Sequence, residues 1–99
     1  MVPLLDRAAL EAFCRRYHIR RLSLFGSAAR GQLGPESDLD FLVEYDPAHR
    51  PRLVELQEIE DGLSALYGGR RVDLVNPKYL NQRMRSRVLA EAQLQYGQG

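Results

Sequence analysis

The pattern that most limits what this chain can fold into is its alternation between two periods. Leu10, Phe13, Cys14 and Tyr17 recur at i, i+3, i+4 and i+7, the spacing of one helical face, which predicts a helix over Pro3 to Tyr17. Ile19 to Phe25 then sets Leu22 and Leu24 amid polar residues, as a half-buried strand does. A short helix from Ser27 to about Arg30 stops at Gly31, and Asp38 to Glu44 forms a second strand beyond a loop with two glycines and Pro35. Leu56, Ile59, Leu63, Leu66 and Tyr67 make one stripe of the longest helix, Arg52 to Tyr67, which Gly68-Gly69 ends. Gly62 inside that helix costs about 1 kcal/mol relative to alanine. Arg71 to Val75 is a third strand, and Tyr79 to Ala92 a last helix with Leu80, Met84 and Val88 spaced by four. The expected order is α-β-α-β-α-β-α: an α/β (α+β) fold, a small sheet flanked by helices. The link from Gly34 to Ser37 is too short for a full crossover, so the sheet is expected to be mixed. Ninety-nine residues make a single domain, 1–99, with the tail from about residue 94 to 99 frayed.

Composition narrows the function classes. With 44% hydrophobic and 27% charged residues and a net charge of +1, nothing argues for a nucleic-acid or membrane partner. The start, MVPLLDRAAL, lacks a basic region followed by a sustained apolar stretch, and no run approaches the ~20 apolar residues of a membrane span. Cys14 is the only cysteine, so no internal disulfide can form. It reads as a small buried hydrophobe, and the expected compartment is the cytoplasm.

Against that ordinary background, Asp38 and Asp40 stand out. Aspartate is a poor strand residue, yet two open the second strand. Alternation points both one way and turns Leu39, Phe41 and Val43 the other. Adjacent carboxylates repel unless a cation lies between them, and an all-oxygen pair suits Mg²⁺, which takes one or two carboxylates plus substrate phosphates. A strand-initiating turn with solvated acids would explain the pair alone equally well. Gly26 and Ser27 shift the balance. Glycine lets the chain approach a ligand closely, and a serine opening a helix offers a hydroxyl and N–H groups at the positive end of the helix dipole, a phosphate site. A plain N-cap is the alternative there. Asp73, between Val72 and Leu74, would join the other two acids if its strand lies beside theirs. Three acids could hold two Mg²⁺, one on a triphosphate and one activating a hydroxyl.

Gly26-Ser27, ten intervening residues, then Asp38-Leu39-Asp40, with Asp73 further on, resembles the DNA polymerase β-type nucleotidyltransferase superfamily. Within it the chain looks like the minimal nucleotidyltransferases, whose pattern is G-S-x(10)-D-x-D. The GSAARG form with Arg30 and Gly31 also fits that group. The resemblance spans Ile19 to Val75 and implies the polymerase β-like fold and Mg²⁺-dependent transfer of AMP from ATP to a hydroxyl. Asp38 and Asp40 would hold the metals, Asp73 would assist or act as the base, and Gly26 and Ser27 would hold the β- and γ-phosphates. Arg30 would contact the triphosphate or fix the loop by a salt bridge. Members of this group resemble the antitoxin half of toxin–antitoxin pairs, which AMPylate a tyrosine of an all-helical HEPN ribonuclease. The expected partner is such a toxin, in a hetero-oligomer.

Size agrees with that implication, since the chain leaves no residues for an acceptor-binding domain. Two other functions stand beside it: a non-catalytic antitoxin that neutralises by binding, and a small-molecule nucleotidyltransferase needing a partner subunit. No acid of the motif is missing, which favours catalysis. Arg83, Arg85 and Arg87 form either a partner contact or a solvated face. His18 and His49 read as surface or boundary residues rather than ligands.

Overall fold

The computed structural model describes residues 6–26 and 38–97 of the chain. Helix α1 (Arg7–Arg16) begins where the Asp6 carboxylate accepts the Ala9 N–H at 3.1 Å, so Asp6 is its N-cap and the helix opens at Arg7 rather than Pro3. Strands β1 (Ile19–Phe25) and β2 (Leu39–Tyr45) fall where alternation puts them, with β2 starting one residue past Asp38. The short helix expected at Ser27 to Arg30, and the loop after it, lie outside the described residues. Helix α2 (Leu53–Leu66) opens with the Arg52 N–H donating to Glu55 Oε1 at 3.1 Å, and Gly68 and Gly69, both at φ +81°, carry the chain out of it. Strand β3 (Val72–Val75) follows.

The predicted last helix is divided. Asn76 caps a 3₁₀ turn, Pro77–Tyr79, by accepting the Lys78 N–H, and Asn81 caps helix α3 (Gln82–Glu91) by accepting the Met84 N–H at 2.9 Å. Two asparagine caps five residues apart separate what the spacing alone reads as one helix. Arg85 seals the junction, its guanidinium donating to the carbonyls of Pro77, Lys78 and Leu80 at 3.0–3.2 Å. The tail predicted to fray instead forms β4 (Gln93–Tyr96), antiparallel to β1.

The sheet order is β3-β2-β1-β4, with β2 antiparallel to β1 and parallel to β3, so the sheet is mixed, as the short link implied. Leu22, Leu24, Leu39, Phe41, Val43 and Val72 point to the face covered by α1 and α2, where they meet Leu10, Cys14, Ile59, Leu63 and Tyr67 in one apolar cluster. Burial pushes the Cys14 thiol up to about 12, an inert, packed cysteine as expected. Tyr67 sets its ring edge-on to Phe41 at 5.0 Å and donates its hydroxyl to Gln95 Oε1 at 2.8 Å, tying α2 to the new edge strand. Leu42, on the other face, is buried but lies outside this cluster. That face is covered thinly: the 3₁₀ turn contacts β2, α3 contacts β1, and α3 contributes no buried residue. Met84, one of the apolar residues spaced by four on the last helix, is 50% exposed. Among the described residues no helix is long and apolar enough to cross a membrane.

Two stability predictions follow from the packing. A Cβ on Gly62 would lie 2.3 Å from Phe13 Cε2, so this glycine is the hole that admits the Phe13 ring where α2 crosses α1. Propensity alone makes Gly62→Ala stabilising; the packing makes it destabilising by about 1–3 kcal/mol in urea unfolding. Gln95→Ala leaves the buried Tyr67 hydroxyl without its acceptor and is expected to cost about 1–3 kcal/mol, part of which Tyr67→Phe restores in the double variant.

Candidate active site

The register of three strands assembles the acidic motif. In the parallel ladder Asp40 lies opposite Asp73, with Leu39 opposite Val72 and Phe41 opposite Leu74. Facing residues on neighbouring strands share a side of the sheet, so both carboxylates leave the packed face and stand together on the thin one. In the antiparallel ladder Asp40 faces Phe25, which brings Gly26 to its side. Gly26 has φ +73°, and a Cβ there would lie 2.8 Å from Asp40 Oδ2. The glycine therefore does two things at once: it takes a left-handed conformation and leaves room for a carboxylate against the backbone.

Asp38, just before β2, is exposed, as is Asp73, while Asp40 is half-buried. The main chain beside them is fixed by the Leu39 N–H donating to the Arg71 carbonyl at 2.8 Å. The Asp40 carboxyl is pushed above its ordinary value of 3.8 by burial first, then by the charges of Asp73 and Asp38. A half-buried acid held between two others wants a counter-charge. The donor set, all carboxylate oxygen, is of the type that suits a hard divalent cation. Among the described residues no three acidic, histidine or cysteine side chains are already closed into a metal cage. The structure thus gathers Asp38, Asp40, Asp73 and Gly26; Ser27 and Arg30 lie outside the described residues.

The other candidates fall elsewhere. His18 and His49 stack with ring centroids 3.9 Å apart, both exposed, at the Ile19–Tyr45 end of the β1–β2 ladder. Six residues of β1 separate that end from Phe25, roughly 20 Å at strand rise, so neither faces the acids. Arg83, Arg85 and Arg87 are not one stripe, because positions two apart leave a helix on different sides, and Arg85 is turned in to the 3₁₀ carbonyls. The sequence reading missed this role for Arg85; the only signal was the Asn76-Pro77 and Asn81 punctuation on either side of it.

A nucleotidyltransferase domain model matches residues 7–94, and the chain belongs to that family. The protein adenylyltransferase MntA of Thermococcus cleftensis is 38% identical over 76 residues, 77% of this chain and 74% of that protein. MJ1379 of Methanocaldococcus jannaschii is 36% identical over 66 residues, 67% of this chain and 65% of that protein, so the chain spans just under two thirds of this relative. A solved minimal nucleotidyltransferase structure superposes with a TM-score of 0.71 at 37% identity, over 87% of this chain and 85% of that one. A toxin–antitoxin crystal structure with AMP-PNP has the same fold, with a TM-score of 0.71 at 21% identity over 95% of this chain and 75% of that one.

The raised Asp40 acid gives a signed pH test. The folded chain holds a proton at Asp40 more tightly than the unfolded chain does. The stability from that proton is full below 3.8 and is lost as pH rises through the raised value. In EDTA, Asp40→Asn is therefore expected to equal or exceed wild type in thermal stability at pH 7, with the gap closing as pH falls towards 4. A large loss at pH 7 would show instead that the carboxylate holds the fold together.

Proposed function

We propose that this chain transfers AMP from ATP to a hydroxyl of a partner protein, a tyrosine of a HEPN ribonuclease toxin, and so acts as its antitoxin. The observation that carries the reading is Asp40 set in register with Asp73 and against the bare backbone of Gly26. The name of the Thermococcus relative, protein adenylyltransferase, supports the reaction. The toxin–antitoxin structures that share the fold support the kind of partner.

Asp38, Asp40 and Asp73 would hold Mg²⁺, two ions by the resemblance, and the bound metal would supply positive charge to the triphosphate and to the crowded acids. The rest is the work of the chain. Half-buried Asp40 would anchor the acidic cluster, its carboxylate lying beside the bare backbone of Gly26 where a side chain would displace it. Exposed Asp73 is open to an incoming hydroxyl and takes its proton as the oxygen attacks the α-phosphorus. The new oxygen–phosphorus bond replaces the bond to pyrophosphate, which leaves with its electron pair. Ser27 would contribute to the phosphate site as the Gly-Ser pattern implies.

Incubation with ATP, Mg²⁺ and a purified HEPN-type partner protein, followed by intact mass measurement, is expected to add one or more AMP units to that protein. Asp40→Asn should reduce transfer by at least about 100-fold while the fold is retained. An unmodified partner, neutralised equally by wild type and Asp40→Asn, would mean neutralisation by binding alone and defeat the catalytic reading.

A further inference from the structure

We propose that the groove between α3, the 3₁₀ turn and the 46–51 connection docks an amphipathic, acid-bearing segment of the acceptor protein, an inference that rests on the adenylyltransferase reading. The groove, of about 1120 Å³, is bounded on one side by Glu44. Glu44 follows Asp40 and Leu42 on one side of unbulged β2, so the part of the groove that it lines is continuous with the face that carries the acids. Tyr45 and Leu74, which pack against the core, line the rest where the groove passes the end of the sheet. Four residues of strand separate Glu44 from Asp40, about 13 Å. A segment lying in the groove can therefore present a neighbouring side chain to the acidic cluster without long reach.

The lining states what would fit. Val75, Pro77, Tyr79 and Leu89 give it apolar surface, and Tyr79 and Leu89 are 78% and 43% exposed. Isolated apolar exposure is ordinary; here the exposed side chains share one concave wall. Its charge is lopsided, with five cations against two carboxylates. Arg21 pairs with Glu44 at 3.9 Å, and Arg85 is committed to helix carbonyls. Arg20, Arg50 and Lys78 remain against Asp46, whose carboxylate is held below its ordinary value first by the Ala48 N–H, with His49 and Arg20 adding to the effect. Arg50 and Lys78 have no carboxylate partner among the described residues. In a chain whose net charge is only +1, this concentration is local. An apolar wall with a cationic rim complements a segment that is apolar on one side and acidic on the other. A nucleic-acid strand would need a longer basic track and stacking surfaces along it.

The test uses two probes. The first is a fluorescein-labelled 18-residue helical peptide with leucine at i, i+3, i+4 and i+7 and glutamate at its other helix-forming positions, compared with its lysine counterpart. Anisotropy is expected to show the acidic peptide binding at least 10-fold tighter. Arg50→Glu with Lys78→Glu should reverse that preference, and Leu89→Asp should weaken both, with circular dichroism and ATP binding unchanged. The second probe is the transfer assay, in which the charge-reversed double variant should raise KM for the partner protein about 10-fold and leave KM for ATP alone. Equal binding of both peptides, or unchanged values in the groove variants, would overturn the docking site whatever the transfer assay gives. A self-association removed by Leu89→Asp would assign the groove to a second copy, and a single-stranded RNA whose binding the charge reversal abolishes would assign it to nucleic acid; either overturns the proposal. Failure of AMP transfer with intact peptide selectivity would instead count against the reaction.

Discussion

The parallel pairing of β2 on β3 sets Asp40 beside Asp73, and most of the molecule can be understood as what that pairing requires. Two carboxylates facing each other across a ladder weaken it. The pairing persists because the other side of the same two strands belongs to the apolar core. Leu39, Phe41 and Val72 alternate with the acids and are buried against α2. The strand is thus held by one face and functional on the other, and alternation keeps the two roles from competing. Gly26 completes the arrangement from the end of β1, since any side chain there would press on the Asp40 carboxylate.

Legibility in the sequence followed the same division. Where a residue's neighbours in space are its neighbours at i+2 or i+4, pattern was sufficient: Leu39, Phe41 and Val43 mark a buried face, and the acids between them mark an open one. Where a position depends on a partner far along the chain, pattern misled. Gly62 reads as a helix cost and is a socket for Phe13. Gln93–Tyr96 reads as a polar tail, because nothing local shows that β1 has a free edge beside it or that Tyr67 needs Gln95 as acceptor. The split of the last helix was readable from Asn76 and Asn81, but the apolar spacing of Leu80, Met84 and Val88 outweighed the caps.

That spacing misled for a physical reason. A helix with an apolar stripe buries it only if a partner surface is within reach, and α1 and α2 already fill the packed face. Helix α3 is left against the thin face, held by a guanidinium on three carbonyls rather than by a core, with Met84 and Leu89 still accessible. Such an element owes its position to polar geometry at its start, so its outer surface is free to vary without undoing the fold.

The two faces of the sheet therefore differ in what they tolerate. On the packed face a methylene added or removed is felt directly. The thin face carries the acids and the Gly26 approach, which the main apolar cluster does not use, and part of the cationic groove is continuous with it at Glu44. Placing the carboxylates there keeps their mutual repulsion and the raised Asp40 acid outside the core, where a counter-ion can reach them. It also keeps the acids off the side of the sheet that α1 and α2 cover. A substrate of the nucleotidyltransferase domain can thus meet the acids without disturbing the apolar cluster on the other side of the sheet.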